Sequence, residues 1–405
     1  MTTLNSKSKE QKNTLNEEIE KFLLDKGVIK VGFATQETMY CPEGIPSTDF
    51  AKILPDGQSA VCFAFPLDRE KIGAFLRKDL PHGRVDHNKD NFDIYVKIIK
   101  ISEELVDILK EKGYNAAQII PNFDYAGKGQ TKPLISRPHF SLRYLAVSSG
   151  LGRFGWSGNV LMKGYGATIL FGGIITNAKL EPTDPLPGSE SVCNQCKLCT
   201  KVCAFRMFSD NESQEITLGG NQYNYSKRVN HCRCLIICGG YSGLDKTGKW
   251  STWAPDRYPY PETDDEVYLT FASALKADTQ VIAKGEREGF NRKQIKRDPG
   301  LKKVFSGDKK DAAAVFKGVY LTCGNCQLIC WGNPEETAEN YRILTNSGCT
   351  VLDDEGFIEV KSCEKAQRIY DERFPNGPII TEQLKKTATI MKSIIEKKFP
   401  YYSNS

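Results

Sequence analysis

This sequence lacks any apolar stretch long enough to cross a membrane, and its N-terminus shows no export signal. The longest apolar run, at 167–176, is ten residues long, whereas a spanning helix needs about 20. Residues 1–12 are polar and rich in lysine, without the apolar segment of a signal peptide and without a twin arginine. We therefore expect a cytoplasmic protein with no membrane partner.

Histidine is scarce, with four residues in 405, whereas cysteine is plentiful, with 14. Zinc usually binds two cysteine pairs, or cysteine together with histidine. The stretch Cys193-Asn-Gln-Cys196-Lys-Leu-Cys199-Thr-Lys-Val-Cys203 instead has the spacing C-x2-C-x2-C-x3-C, which bacterial ferredoxins use for 4Fe–4S clusters. Four cysteines so close along the chain do not easily wrap one tetrahedral ion. The spacing therefore favours iron–sulfur ligation over zinc or a disulfide framework, and it suits a reducing compartment.

A second run, Cys323-Gly-Asn-Cys326-Gln-Leu-Ile-Cys330, has the spacing C-x2-C-x3-C and is one ligand short. In two-cluster ferredoxins the last cysteine of each run binds the cluster of the other run. This exchange predicts that Cys330 joins the first three cysteines of the first run, and that Cys203 joins Cys323 and Cys326. The missing fourth ligand of the second cluster lies among three cysteines between the runs: Cys232, Cys234 and Cys238.

Alternating helical and extended patterns predict one mixed domain, α/β or α+β, over about residues 15–185. Its predicted strands are 28–34, 59–65, 116–121 and 167–176, and its predicted helices are 16–26, 92–112 and 141–149. Residues 1–14 are predicted to be a flexible N-terminus, 186–335 an iron–sulfur domain with an insertion at 240–320, and 336–405 a C-terminal region. That region should contain helices at 335–344, 363–374 and 381–397 and a hairpin formed by 349–353 and 357–360.

The positive charge of the chain is concentrated in one segment. Residues 276–317 hold twelve lysines and arginines against six acidic residues, more than the whole net charge of +5. The ordinary interpretation is a solvated helical face. The alternative is a docking surface for an acidic electron carrier or for RNA.

The glycines at 150, 152 and 155 match G-x-G-x-x-G, but the context does not suit a dinucleotide site. Such a site needs a strand before the glycines and an acidic residue about 20 positions later. Here a predicted helix precedes the motif, and position 175 is isoleucine. We therefore set nucleotide binding aside.

The segment 150–162, followed by Tyr165-Gly166, by 173–176 and by 180–182, leads directly into the first cysteine run. Together with the cysteine runs and the strand patterns near the N-terminus, it resembles the superfamily of reductive dehalogenases and epoxyqueuosine reductases. The resemblance covers roughly residues 20–205 and 225–335. It implies an α+β architecture, in which a nitroreductase-like α/β domain that holds cobalamin is joined to a ferredoxin-like domain with two 4Fe–4S clusters and a helical C-terminal extension.

The resemblance also implies site residues. In the family, the isolated cluster ligand follows an arginine, and here Cys234 follows Arg233. Cys234 is therefore the expected ligand, and Cys232 and Cys238 would not bind a cluster. The segment expected to lie against the corrin ring contributes Gly150, Gly152, Gly155, Gly158, Asn159, Tyr165 and Gly166. The expected proton donors, or residues that assist them, are Tyr125, Arg137, His139 and Tyr144.

Two departures from the family separate the possible activities. Epoxyqueuosine reductases are expected to carry a catalytic aspartate where this chain has Ser136, which weakens a role in tRNA modification. Respiratory dehalogenases usually carry a twin-arginine signal, which residues 1–12 do not show. The favoured hypothesis is an oxygen-sensitive, cobalamin-dependent, reductive-dehalogenase-like oxidoreductase that acts on a small organic substrate.

Two other functions are kept as alternatives. One is an epoxyqueuosine-reductase-like enzyme that acts on tRNA. The other is a non-catalytic electron-transfer protein with two 4Fe–4S clusters. In each case an acidic donor such as ferredoxin or flavodoxin is the expected source of electrons.

Overall fold

The structure is a computed structural model that describes residues 2–121, 138, 140–277, 321–354, 358–373, 375 and 380–398, and the side chains of these residues except at 2–13, 46, 275–277, 373 and 395–398. Its strands are β1 Lys30–Thr35, β2 Ser59–Pro66, β3 Ala116–Ile119, β4 Arg153–Phe154, β5 Val160–Leu161, β6 Ile169–Thr176, β7 Phe208–Leu218, β8 Asn221–Arg228, β9 Cys349–Leu352 and β10 Ile358–Lys361. Its helices are α1 Thr2–Asp25, α2 Arg69–Arg77, α3 Gly83–Glu111, α4 Leu142–Ser148, α5 Leu198–Lys201, α6 His231–Cys238, α7 Asp264–Ala277, α8 Asn325–Leu328, α9 Pro334–Thr345, α10 Cys363–Arg373 and α11 Glu382–Lys398.

The main sheet has four strands in the order β1-β2-β6-β3, and all three pairings are antiparallel. The central strands β2 and β6 are almost entirely buried, because helices cover both faces of the sheet. Side chains alternate between faces along a strand, so Val61 and Phe63 pack with Ile98 of α3 while Cys62 packs with Leu145 of α4. The predicted mixture of helices and strands is confirmed, and the antiparallel pairing makes it α+β.

The four predicted strands of this domain are all present, with shifted ends, but the long helix α3 begins at Gly83 and not at 92. Its first turns are polar in sequence, and Arg84, His87, Asn88 and Asn91 are nevertheless buried. A hydrophobic pattern cannot reveal a helix whose inward face is polar. Helix α1 similarly begins at Thr2 and covers the segment predicted to be flexible; its lysine, glutamate and glutamine residues are good helix formers.

The sequence analysis did not predict the hairpin of β7 and β8. Most of β7 is polar and exposed, so it lacks an apolar alternation. Its turn contains Gly219 and Gly220, whose φ angles are +53° and +80°. Two consecutive residues with positive φ are typical of the tight turns that join antiparallel strands, and this glycine pair was the signal available in the sequence.

The C-terminal region follows the predicted order of a helix, a hairpin and two helices, with β9 paired to β10 in antiparallel register. The hairpin sets Lys361 opposite Cys349, which brings Cys363 next to the same strand. Cys349 and Cys363 form a disulfide. The cysteine spacing, which favoured a reducing compartment over a disulfide framework, did not predict this pair, because strand pairing brings the two thiols together.

No helix within the described ranges is both long enough and apolar enough to cross a bilayer. Most of the basic segment 276–317 lies outside the described residues. Its possible role in docking an acidic protein or RNA stays a prediction.

His87 should make the folded state sensitive to acid. It is fully buried with its ring 4.7 Å from that of Phe75, and neither ring nitrogen has a hydrogen-bond partner among the described residues. Burial lowers the pKa of His87 from 6.5 to about 4. Between pH 6.5 and pH 4 the imidazole therefore takes up a proton in the unfolded chain but not in the folded protein. The free energy of unfolding accordingly decreases as the pH falls from 6.5 towards 4.

The parent protein should lose unfolding free energy when the pH is lowered from about 7 to about 5. We expect His87→Leu to lose about 2 kcal/mol less than the parent over the same range. Denaturant unfolding of the anaerobic protein at both pH values measures the difference. His82 is exposed on the same segment, so His82→Leu is the matched control and should leave the pH dependence unchanged. Equal pH dependence in the His87 variant and the parent would contradict the prediction.

Candidate metal centre

Four of the predicted ligands line one small cavity. Cys193, Cys196, Cys199 and Cys330 surround a space of about 20 Å³, together with Trp156 and other residues. We call these four cysteines site A. The thiols of Cys199 and Cys330 interact electrostatically with each other and with that of Cys193. The last cysteine of the second run thus lies with the first three of the first run, as the ferredoxin-type exchange predicts.

The first cysteine run is held as a tight loop that leads into α5. Gln195 and Lys197 have φ angles of +56° and +59°, a left-handed conformation that costs energy for residues other than glycine. Asn194 Oδ1 accepts a hydrogen bond from the backbone N–H of Cys196 at 3.2 Å, and the ammonium of Lys197 lies 4.7 Å from the centroid of the Trp156 ring. These contacts keep the loop folded around the cavity.

The segment 164–167 holds Cys330 at site A. The backbone N–H of Ala167 donates to the Cys330 carbonyl at 2.8 Å. Gly166 has a φ of +62°, and a Cβ at this position would lie 2.2 Å from the Trp331 carbonyl carbon. Arg69 supports the same contact, since its guanidinium donates to the carbonyls of Gly164 and Trp331 at 2.9 and 3.0 Å.

A second group of thiols lies next to site A. Cys203, Cys323 and Cys326 interact electrostatically with one another and with Cys234. The backbone N–H of Met207 contacts Cys203 Sγ at 3.2 Å, and Asn159 Nδ2 contacts Cys326 Sγ at 3.8 Å. Cys326 of this group also interacts electrostatically with Cys199 of site A.

Helix α6 contributes two thiols to this group, not one. Cys234 Sγ and Cys238 Sγ are 3.4 Å apart, and Cys238 also hydrogen-bonds with Cys323. Cys232 is 2% exposed and packs within the hydrophobic core, on another side of the helix. We call the five thiols site B: Cys203, Cys234, Cys238, Cys323 and Cys326. The sequence resemblance left Cys238 without a role, whereas the structure brings its thiol to the site.

Burial and hydrogen bonding shift the pKa values of these thiols in opposite directions. Burial raises the pKa of Cys199 and of Cys326 to about 12. The hydrogen bond with Cys238 lowers the pKa of Cys323 below its usual range. A metal is bound by the thiolate, so ligation at Cys199 or Cys326 must displace a proton.

Both sites offer the donor set of a cluster and not that of a single ion. Sites A and B present thiols alone, and a 4Fe–4S cluster is held by four cysteine thiolates. Within the described part of the chain, no group of three or more histidine, cysteine or acidic side chains is gathered closely enough for one metal ion. The all-thiol composition of both sites fits two four-iron clusters.

The glycine segment packs against the chain itself. A Cβ at Gly150 would lie 2.5 Å from the Asp184 carbonyl oxygen, one at Gly152 would lie 2.4 Å from the Leu161 carbonyl oxygen, and one at Gly158 would lie 3.0 Å from the Tyr225 ring. Gly155 similarly faces the Leu161 side chain. Tight internal packing thus accounts for the absence of a Cβ at these four positions.

The remaining residues of that segment have partners within the protein. Asn159 Nδ2 donates to Ser157 Oγ at 3.1 Å and to the Cys326 carbonyl at 3.3 Å, so it contacts site B. Tyr165 is half-buried in the turn that precedes Gly166, with its N–H donating to Met162. The contact of these residues with a corrinoid stays a prediction.

One of the four predicted proton-transfer residues lies within the described part of the chain. Tyr144 is 8% exposed in the core, and its hydroxyl is 3.2 Å from that of Tyr225. Burial raises the pKa of Tyr144, which makes it a poor acid. The other three, Tyr125, Arg137 and His139, lie outside the described residues, as does Ser136.

A larger polar cavity of about 240 Å³ adjoins site A, with Gly155, Trp156 and Cys193 in both linings. The unpredicted hairpin forms one wall, through Glu215 of β7 and residues 222–224 of β8. Arg153 also lines the cavity, with its guanidinium 5.0 Å from the centroid of the Tyr223 ring. These residues were not predicted from the sequence, because the hairpin that carries most of them has no apolar alternation in β7.

No protein-family model and no curated protein matches this chain. Solved structures that are similar to it include a reductive dehalogenase whose structure suggests a mechanism for B12-dependent dehalogenation. It has a TM-score of 0.38 and 17% identity, and the match covers 52% of this chain and 27% of that one. An epoxyqueuosine reductase with a tRNA-Tyr stem loop has a TM-score of 0.37 and 16% identity over 82% of this chain and 81% of that one. The epoxyqueuosine reductase from Bacillus subtilis has a TM-score of 0.38 and 15% identity over 95% and 91%.

These neighbours belong to the two enzyme groups that the glycine and cysteine segments resemble. This chain spans about a quarter of the length of the dehalogenase chain.

Gly166→Ala should disturb site A, because its Cβ would meet the backbone next to Cys330. Gly164→Ala is the matched control, since Gly164 also has a positive φ, of +82°, but no atom lies within 4 Å of its added Cβ. We expect the control to cost about 1 kcal/mol from the backbone conformation alone and Gly166→Ala to cost about 3 kcal/mol through the added clash. Thermal unfolding of both anaerobic variants measures the difference, and equal losses would contradict the role of this contact.

Proposed function

We propose that this protein is an oxidoreductase that carries two 4Fe–4S clusters, one at site A and one at site B. The observation that supports this most directly is the exchange of the last cysteines: Cys330 lies with the first run, and Cys203 lies with the second. Zinc ribbons and disulfide frameworks have no need of this crossed arrangement. Two-cluster ferredoxins depend on it.

A pair of 4Fe–4S clusters supplies one-electron transfer when bound. The protein residues would hold each cluster and set its surroundings. Cys196 is exposed at site A, and Lys197 and Lys201 lie beside it in the chain. An acidic donor such as ferredoxin or flavodoxin therefore suits this face by charge. Cys199 of site A interacts electrostatically with Cys326 of site B, so clusters bound at the two sites would be neighbours that could exchange electrons.

Backbone and side-chain donors would tune site B. The N–H of Met207 points to Cys203 Sγ and the amide of Asn159 to Cys326 Sγ. Hydrogen bonds to cluster sulfurs stabilise the more negative, reduced state and so raise the reduction potential. Asn159 comes from the segment between β4 and β6, so the first domain takes part in the electron-transfer site.

The electron acceptor is the part of the proposal that depends on the resemblance. The resemblance favours a corrinoid that reduces a small organic substrate, in the manner of a reductive dehalogenase. The second candidate is a two-cluster protein that passes electrons to another enzyme, and it requires only the thiols of sites A and B. Cobalamin titrated into the cluster-loaded protein distinguishes them, because a spectral change supports the corrinoid enzyme and its absence supports the electron carrier.

Anaerobic reconstitution should yield about eight irons per chain. Cys330→Ser should lose the iron of site A and Cys203→Ser that of site B, each variant keeping about four. Cys232→Ser is the control, since this cysteine lies in the core away from both sites, and it should keep the full content. Iron analysis and low-temperature EPR of the reduced proteins measure the result. Stoichiometric zinc without iron would overturn the proposal.

Asn159→Leu should lower the reduction potential of the site B cluster, because it removes an N–H donor from Cys326 Sγ without removing a ligand. An EPR-monitored redox titration follows the two clusters separately. The signal of site A serves as the internal control and should keep its potential. An unchanged potential at site B would show that the contact at 3.8 Å does not act on the cluster.

A further inference from the structure

Site B contains one thiol more than a four-iron cluster can use. Cys203, Cys323 and Cys326 supply three positions, and both Cys234 and Cys238 lie where the fourth is needed. Their sulfur atoms are 3.4 Å apart. Each of the two α6 thiols also interacts with Cys323, through a hydrogen bond from Cys238 and electrostatically from Cys234.

The spacing along α6 explains why two thiols point to one place. Residues four apart lie one turn above each other on the same helix face, so Cys234 and Cys238 share a face. Cys232 is two residues before Cys234 and lies on a different face, where it is buried in the core. Asn230 fixes the start of the helix, since its side chain accepts a hydrogen bond from the Cys232 N–H. The helix therefore directs Cys234 and Cys238 to site B, while Cys232 lies in the hydrophobic core.

The two thiols differ in their surroundings. Cys234 is half-buried in the middle of the helix, whereas Cys238 is exposed and is its last residue. Gly239 and Gly240 follow, and Gly240 has a φ of +75°. A terminal residue followed by two glycines has more freedom to adjust its side chain and backbone than one in the middle of a helix.

We propose that Cys238 is a second, interchangeable fourth ligand of the cluster at site B. The inference rests on the proposed function, because it requires a cluster at this site. In the exchange, the Cys238 thiolate binds the iron that Cys234 releases, and the proton of the Cys238 thiol passes to the Cys234 thiolate. One iron–sulfur bond breaks and one forms, so no electron is transferred and no oxidant is needed.

The test compares four variants of the full chain, reconstituted anaerobically: Cys234→Ser, Cys238→Ser, the double variant and the control Cys232→Ser. We expect each single variant to keep about eight irons and the double variant about four. Cys234→Ser should also shift the EPR signal of site B, because its fourth ligand then comes from the end of the helix. The site A signal in the double variant shows that the chain is still folded.

Several results would overturn the inference. Loss of about four irons in Cys234→Ser alone would make Cys234 the sole fourth ligand, and the same loss in Cys238→Ser alone would assign that role to Cys238. A double variant that keeps about eight irons would mean that neither thiol is a ligand. Failure of the proposed function gives a different result, because the parent protein itself would then not reach about eight irons.

Discussion

The meeting of two cysteine runs more than a hundred residues apart is the constraint on which the rest of the structure depends. Each site takes thiols from both runs, so residues 193–203 and 323–330 must lie close together. The end of the second run is held by the segment 164–167: the Ala167 N–H donates to the Cys330 carbonyl, and Gly166 allows the approach by having no Cβ. A side chain at 166 would clash with the backbone next to Cys330 and so disturb site A.

The elements around both sites belong to one continuous core. A single hydrophobic cluster includes Phe63 of the main sheet, Ile236 of α6 and Leu328 of α8. Arg233 is buried and donates hydrogen bonds to the carbonyls of Phe205 and Pro261 at 3.1 and 2.9 Å, which ties α6 to the chain just after the first cysteine run. The thiols of site B are thus positioned by the same packing that stabilises the fold, and this pre-organisation suits electron transfer.

The glycine segment links the sheet to the metal centre. The resemblance implies that its glycines lie against a corrin ring. The structure shows that Gly150, Gly152 and Gly158 allow close packing within the protein. The same segment supplies Asn159 to site B and Gly166 to site A. Gly158 and Gly166 of this segment therefore allow close approach to Tyr225 and Trp331, whereas Gly150 and Gly152 pack within the first part of the chain.

The sequence by itself determined the donor chemistry, the exchange of Cys203 and Cys330 and the strands of the main sheet. These follow from local spacing and periodicity, which a chain carries before it folds. The tertiary structure alone decided that Cys234 and Cys238, and not Cys232, face Cys323, and that Cys349 meets Cys363. It also decided the polar inward face of α3 and the hairpin beside site A. Contacts between residues distant in sequence depend on how elements pack together, and no local pattern records that packing.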